Sequence, residues 1–138
     1  MGAKGYAFDD LLGRLVGCRL YSVQFVMDYL QIHFYSESSD DLPRLNCDVW
    51  PVVVGAGVSL REGMAGYSDA LRQLICQKVV GTTEGEGAGF SIEFESVALV
   101  FRPGADEIQT PEIAYLSGFS DRRWMVWRPG EEAFEYLD

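Results

Sequence analysis

Two stretches of the chain alternate strictly between apolar and polar positions. In LQIHFYS, residues 30 to 36, Leu30, Ile32 and Phe34 alternate with Gln31, His33 and Tyr35. In FSIEFES, residues 90 to 96, Phe90, Ile92 and Phe94 alternate with Ser91, Glu93 and Glu95. A period of two sends successive side chains to opposite faces, so each stretch predicts a strand with one face in a core and the other in water. Two other stretches follow a helical spacing. Phe8, Leu11, Leu12, Leu15 and Val16 recur behind Asp9 and Asp10, and Leu71, Leu74 and Ile75 recur behind Ser68 and Asp69, which can cap an N-terminus. Lys78 near the second end suits the helix dipole. Each helix would have roughly two or three turns, so packing has to hold it.

These pieces recur in the same order, and a repeat changes the expected fold. RLVGCRLY (14 to 21) aligns with QLICQKVV (73 to 80), setting Leu15 on Leu74, Arg19 on Lys78 and Leu20 on Val79. Ile32, Phe34 and Ser36 then fall on Ile92, Phe94 and Ser96, and LNCDVWP (45 to 51) resembles VALVFRP (97 to 103), both ending at proline. The first copy carries an insertion, ESSDDLPR, at residues 37 to 44. The chain reads as a single domain, 1–138, with an internal repeat at approximately 8–51 and 68–103 and C-terminal strands within 112–137, split by turns at SGFSD and RPGEE. In those strands Trp124, Val126 and Arg128 alternate with Met125 and Trp127. The fold class expected is α+β and β-rich: two pseudo-symmetric helix-plus-β-meander halves forming a bent sheet or partial barrel.

Two glycine-rich stretches look at first like phosphate loops. TTEGEGAG (82 to 89) fills the place that SVQFVMDY fills in the first copy, which predicts a hairpin turn with flanking strand residues. A phosphate loop opens a helix, whereas GEGAGF runs into a strand and carries carboxylates that repel phosphate. VVVGAGVSLREG (52 to 63) lacks the third glycine of a dinucleotide fingerprint and reads as a linker or hairpin between the halves.

Composition narrows the chemistry. With 48% hydrophobic and 23% charged residues the chain is ordinary globular material, able to bury about two-thirds of its unfolded surface. The net charge of −10 and pI of about 4.4 repel phosphate backbones, so nucleic acid is not expected as a ligand. Cys18, Cys47 and Cys76 are odd in number without CxxC spacing, which fits buried thiols in a reducing compartment rather than disulfides or zinc. The start, MGAKGYAFDD, has no secretory apolar core, and Tyr6 stands where myristoylation wants Ser or Thr. The run VWPVVVGAGV is about half of what a bilayer span needs, so no membrane association and a cytoplasmic location are expected.

His33 is the single histidine, which leaves no multi-histidine metal site, and no cofactor motif is present. Glu93 and Glu95, two apart on a predicted strand, would share a face at about 7 Å, near the separation of glycosidase carboxylates. With His33 they define an alternative pocket for a small-molecule-binding or hydrolytic domain on the concave side of the sheet. Residues 84 to 112 hold seven carboxylates, among them Glu84, Glu86, Glu93 and Glu95, against Arg102 alone, and Glu37, Asp40 and Asp41 add a second cluster. A negative field of this kind steers a basic partner. Trp124 and Trp127, flanked by arginines, are residue types enriched at interface hot spots.

The repeated LVGCRL and LICQKV, the strands YLQIHFYS and FSIEFES, and the closing WRPGEEAF together resemble small acidic bacterial proteins with an internal repeat, similar to immunity proteins of polymorphic or contact-delivered toxin systems. The resemblance implies a noncatalytic module that neutralises a basic toxin or effector and carries no catalytic residues over. ESSDDLPR departs from the short Asp-Gly turn that the resemblance implies at that place. The partner-binding residues expected are Glu84, Glu86, Glu93, Glu95, Asp40, Asp41, Trp124 and Trp127. A homo-oligomeric structural protein is a third reading, with self-association as its mark.

Overall fold

Leu30, Ile32 and Phe34 are fully buried, while Gln31, His33 and Tyr35 stand on the other face of their strand, as the alternation requires. The same holds for Phe90 and Ile92 against Ser91 and Glu93. A computed structural model describes residues 7–108 and 110–135. The expectations on residues 1–6, Tyr6 included, and on residues 136 and 137 lie outside them.

The first half of the chain supplies β1 (Arg19–Phe25), β2 (Leu30–Tyr35), β3 (Arg44–Cys47), β4 (Val52–Gly55) and β5 (Val58–Leu60). After α1 (Tyr67–Arg72), the second half supplies β6 (Gly81–Gly85), β7 (Gly89–Glu93), β8 (Ala98–Phe101), β9 (Ala114–Ser117) and β10 (Met125–Trp127). They pair into two antiparallel five-stranded sheets, ordered β1-β2-β3-β9-β10 and β5-β4-β8-β7-β6.

This overturns the expected architecture of two helix-plus-β-meander halves on one bent sheet or partial barrel. Each sheet joins a three-strand meander from one half to a two-strand hairpin from the other, and neither sheet closes into a barrel. Of the two readings of VVVGAGVSL, linker or hairpin, the structure takes the hairpin: β4 and β5 pair and extend the meander of the second half through Val53 opposite Leu99, while β9 and β10 extend that of the first through Leu116 opposite Leu45. The register also corrects the third repeat block. Ile32 lies opposite Leu45 and Ile92 opposite Leu99, so Leu45 corresponds to Leu99 rather than Val97.

Helix is scarcer than the apolar spacing implies. Leu12–Leu15 form a single 3₁₀ turn, preceded by Asp9 at φ 64°, a left-handed conformation that interrupts any longer helix. The second helix has one α-helical segment of six residues; it is capped by Gly66 at φ 89°, with Ser68 and Asp69 inside its first turn and no side-chain cap. Leu12, Leu15, Leu71 and Leu74 are nonetheless buried, so the spacing marks the core-facing side of short turns.

The two halves meet at an antiparallel bridge between Arg19 and Lys78. Around it Leu20 N–H donates to the Gln77 carbonyl (3.1 Å) and Val79 N–H to the Cys18 carbonyl (2.8 Å), while Gly17 N–H bonds Val79 and Cys76 N–H bonds Leu20. Exchanging each residue for its counterpart in the other half turns every one of these bonds into another of the set, which is the signature of a local two-fold axis. Between the sheets Phe90 is stacked by Phe101 at 4.4 Å and by Trp127 at 4.2 Å, with Phe134 edge-on at 5.9 Å. Such aromatic pairs add about 0.5–1.5 kcal/mol each beyond their burial.

Candidate functional site

The five strands of the first sheet, RLYSVQF, LQIHFY, RLNC, AYLS and MVW, contain no aspartate, glutamate or lysine, although the chain has 21 acidic residues. Their core side takes Leu20, Ile32, Phe34, Leu45, Cys47 and Leu116. Registration then fixes what faces outward. One row runs Gln24, Gln31, Asn46, Tyr115, Val126, and the next runs Ser22, His33, Arg44, Ser117. A register shift between Leu20 and Ser22 turns Tyr21 outward as well, its ring 5.9 Å from those of His33 and Tyr35. Trp124 leans on Tyr115 at 5.9 Å and remains 57% exposed.

Hydrogen bonds fix these side chains to one another. Gln31 Nε2 donates to Asn46 Oδ1 at 3.1 Å, and Gln31 Oε1 lies 2.8 Å from His33 Nε2. Arg44 reaches Ser117 Oγ at 3.5 Å. Partial burial, and secondarily the Arg44 charge, hold the His33 pKa below its ordinary 6.5, so its imidazole is neutral at physiological pH.

Carboxylates stand at the strand ends instead. Asp28 in the β1–β2 turn, Asp48 after β3 and Glu112 before β9 share one end of the sheet, and Glu37, Asp40, Asp41 and Asp121 share the other. Burial and the neighbouring Glu112 both raise the Asp48 pKa. Asp48 also lines a cleft of about 280 Å³ with Trp50, Glu62, Glu107 and Arg61.

The predicted acidic face does not assemble as one surface. Glu84 is interior: its carboxylate accepts Trp127 Nε1–H at 2.7 Å and Asp9 N–H at 2.8 Å. Burial raises its pKa, the two donors lower it, and Glu132 raises it. Trp127 is 2% exposed, so both residues belong to the core rather than to an exposed contact. Glu86 sits exposed at the β6–β7 turn, whose Gly87 N–H donates to the Glu132 carbonyl. Glu93 lies on the outer face of the second sheet, where Thr83 Oγ1 (2.8 Å) and Ser91 Oγ (3.2 Å) donate to it. Glu95 is past the end of β7, in the turn where Phe94 N–H meets the Val97 carbonyl, so it is not paired with Glu93 along a strand. Asp40 is exposed, and Asp41 accepts Ser120 N–H at 2.8 Å.

The alternative pocket of His33, Glu93 and Glu95 is likewise not brought together: His33 is on the first sheet, Glu93 on the second and Glu95 in a turn. Cys18 and Cys47 are buried, but Cys76 is exposed, against the expectation of three buried thiols. Tyr21, Tyr35, Gln31, Asn46 and Tyr115 were not singled out by pattern alone. Their signal is residue type: polar positions of a strand held by aromatic and amide side chains in a chain otherwise rich in carboxylates.

Comparison with known proteins gives no matching family model, no matching characterised protein and no matching solved structure. Among the described residues no helix is long and apolar enough to cross a membrane, and no cluster of His, Cys, Asp and Glu is arranged to hold a metal ion.

Proposed function

We propose that this chain is a noncatalytic protein-binding module for a basic protein partner, acting in the cytoplasm as an inhibitor or immunity protein of a basic toxin or effector. The observation that carries the reading is an uncompensated negative surface. Arg14, Arg19, Arg61, Lys78, Arg123 and Arg128 are each engaged with a carboxylate of the chain itself. Asp28, Asp40, Glu62, Glu86, Glu95 and Glu131 are exposed, their carboxylates make no hydrogen bond or ion pair among the described residues, and they outnumber the exposed arginines without an ion pair there, Arg44, Arg72, Arg102 and Arg122. With a net charge of −10, this surface accelerates encounter with a cationic partner and slows it with an anionic one.

The test is retention of a partner from lysate of the chain's own organism on the tagged full-length protein at low salt, followed by a salt gradient. A stoichiometric basic protein that elutes as the Debye length shrinks below about 10 Å supports the reading. A column that retains nothing in stoichiometric amount rejects it.

A further inference from the structure

We propose that the outer face of the first sheet is where the basic protein partner docks, with Tyr21, Tyr115 and Trp124 as anchors and the strand-end carboxylates as the rim. The inference rests on the reading of the chain as a binding module and adds the surface and the chemistry it recognises. Its first support is composition. Interface centres are depleted in Lys, Glu and Asp and enriched in Tyr, Trp and Arg. The outward positions of the first sheet follow that rule within a chain whose overall bias runs the other way.

The second support is preorganisation. The Gln31–Asn46 and Gln31–His33 contacts and the Tyr21 ring against His33 and Tyr35 hold the face in one arrangement before anything binds. Binding then orders few side chains that were free before it. Trp124 and Tyr21, at 57% and 43% exposure, still have apolar area to lose.

Charge selects the occupant. A partner with lysines and arginines around a weakly polar centre meets Asp28 and Asp48 at one end and Asp40 and Asp41 at the other, whereas Glu112 is already paired with Arg128, and Glu37 with Arg19 and Lys78. It meets no carboxylate in the middle, where an unpaired charge is costly to desolvate. Arg44, which reaches Ser117 Oγ and has no ion pair among the described residues, is the charged group of that centre and requires a carbonyl or carboxylate of the partner opposite it. A second copy of this chain would set rim against rim between two molecules that each carry a net charge of −10.

Site-specific photocrosslinking separates this surface from the function it rests on. The full-length chain carries p-benzoylphenylalanine in place of Gln24 or Tyr115 on the first sheet, or of Ser91 on the outer face of the second, and is irradiated in lysate of its own organism. The expected result is an adduct with one basic protein from the Gln24 and Tyr115 positions, and none from Ser91. Adding Trp124→Ala, which removes an exposed side chain, should cut the adduct roughly tenfold. A basic adduct from Ser91 alone overturns the surface and leaves the binding-module reading standing. No adduct at any position overturns both, and an adduct of the chain with itself replaces the basic partner by a second copy.

Discussion

Glu84 shows what a single residue does when its charge is read without its surroundings. In the sequence it is one of a run of carboxylates; in the fold it joins three segments, through Trp127 of β10, Asp9 of the N-terminal turn and its own strand β6. Trp127→Phe keeps an aromatic ring in the Phe90 stack but takes away the indole donor to the Glu84 carboxylate. It should destabilise the chain by about 1–3 kcal/mol in urea denaturation; an unchanged midpoint would mean that water replaces the indole. The pH dependence has a definite sign. Because burial raises the Glu84 pKa, the folded chain keeps this proton to higher pH than the unfolded chain does. The associated stability is fully present below the ordinary carboxylate range and is lost as pH rises through the folded value. The stability difference between wild type and Glu84→Gln should therefore narrow as pH rises out of that range, and a gap independent of pH counts against the assignment. The cysteines allow a simpler check at the same scale. Cys18 and Cys47 are buried, with thiol pKa values pushed up chiefly by burial, and Cys76 is exposed. A thiol reagent should label Cys76 alone in the native chain and reach the other two on unfolding.

Among the elements, the strands are legible in the sequence and the helices only in part. The period-two pattern located β2 and β7 because their side chains divide cleanly between core and water. The leucine spacing predicts helices at both places, and the second is the short α1, whereas at Leu12 and Leu15 a 3₁₀ turn of four residues is enough to deliver the side chains to the core. VVVGAGVSL leaves linker and hairpin both open because it is apolar without alternation, and such a run carries no face to read. What fixes the place of these hairpins is a pair of glycines at corresponding points. A Cβ on Gly55 would come within 2.6 Å of the Ser96 carbonyl oxygen, and one on Gly118, at φ 97°, would run into the Leu42 carbonyl. Each hairpin thus approaches the other half's meander at a point where only hydrogen fits. Gly118→Ala should cost the left-handed backbone penalty plus the collision, about 3 kcal/mol or more. Gly57→Ala, also at positive φ (76°) but with nothing within 4 Å, should cost only about 1–2 kcal/mol. Thermal unfolding of both variants checks the difference; equal losses would show that backbone strain alone decides.

At the scale of the whole molecule, the repeat was visible but its consequence was not. The aligned pair Arg19 and Lys78 turned out to touch each other across the local axis, and a self-comparison contains no information on whether like parts sit side by side or exchange strands. The candidate site was hidden for the same reason: its five strands come from both halves, and their shared lack of carboxylates appears only once β9 and β10 are placed beside β3. Exchange also dictates how the chain holds together. A fragment of residues 1–65 would carry β1 to β5 but leave the free edge of β3 without β9, and would leave the β4–β5 hairpin without β8. Its partner fragment, 66–138, would have the matching defect. Each fragment would also expose leucines, such as Leu45 and Leu99, that are fully buried in the intact chain. A hairpin of two short strands is marginal by itself in water, and a three-strand meander with one bare apolar edge invites association rather than folding. Each fragment alone should therefore lack dispersed amide resonances, while an equimolar mixture should recover the dispersion of the intact chain. The salt dependence of that recovery is opposite to that proposed for partner binding. Both fragments carry net negative charge, so screening should promote their assembly even as it weakens capture of a basic protein. If either fragment folded alone, the exchanged topology would not be what stabilises the chain.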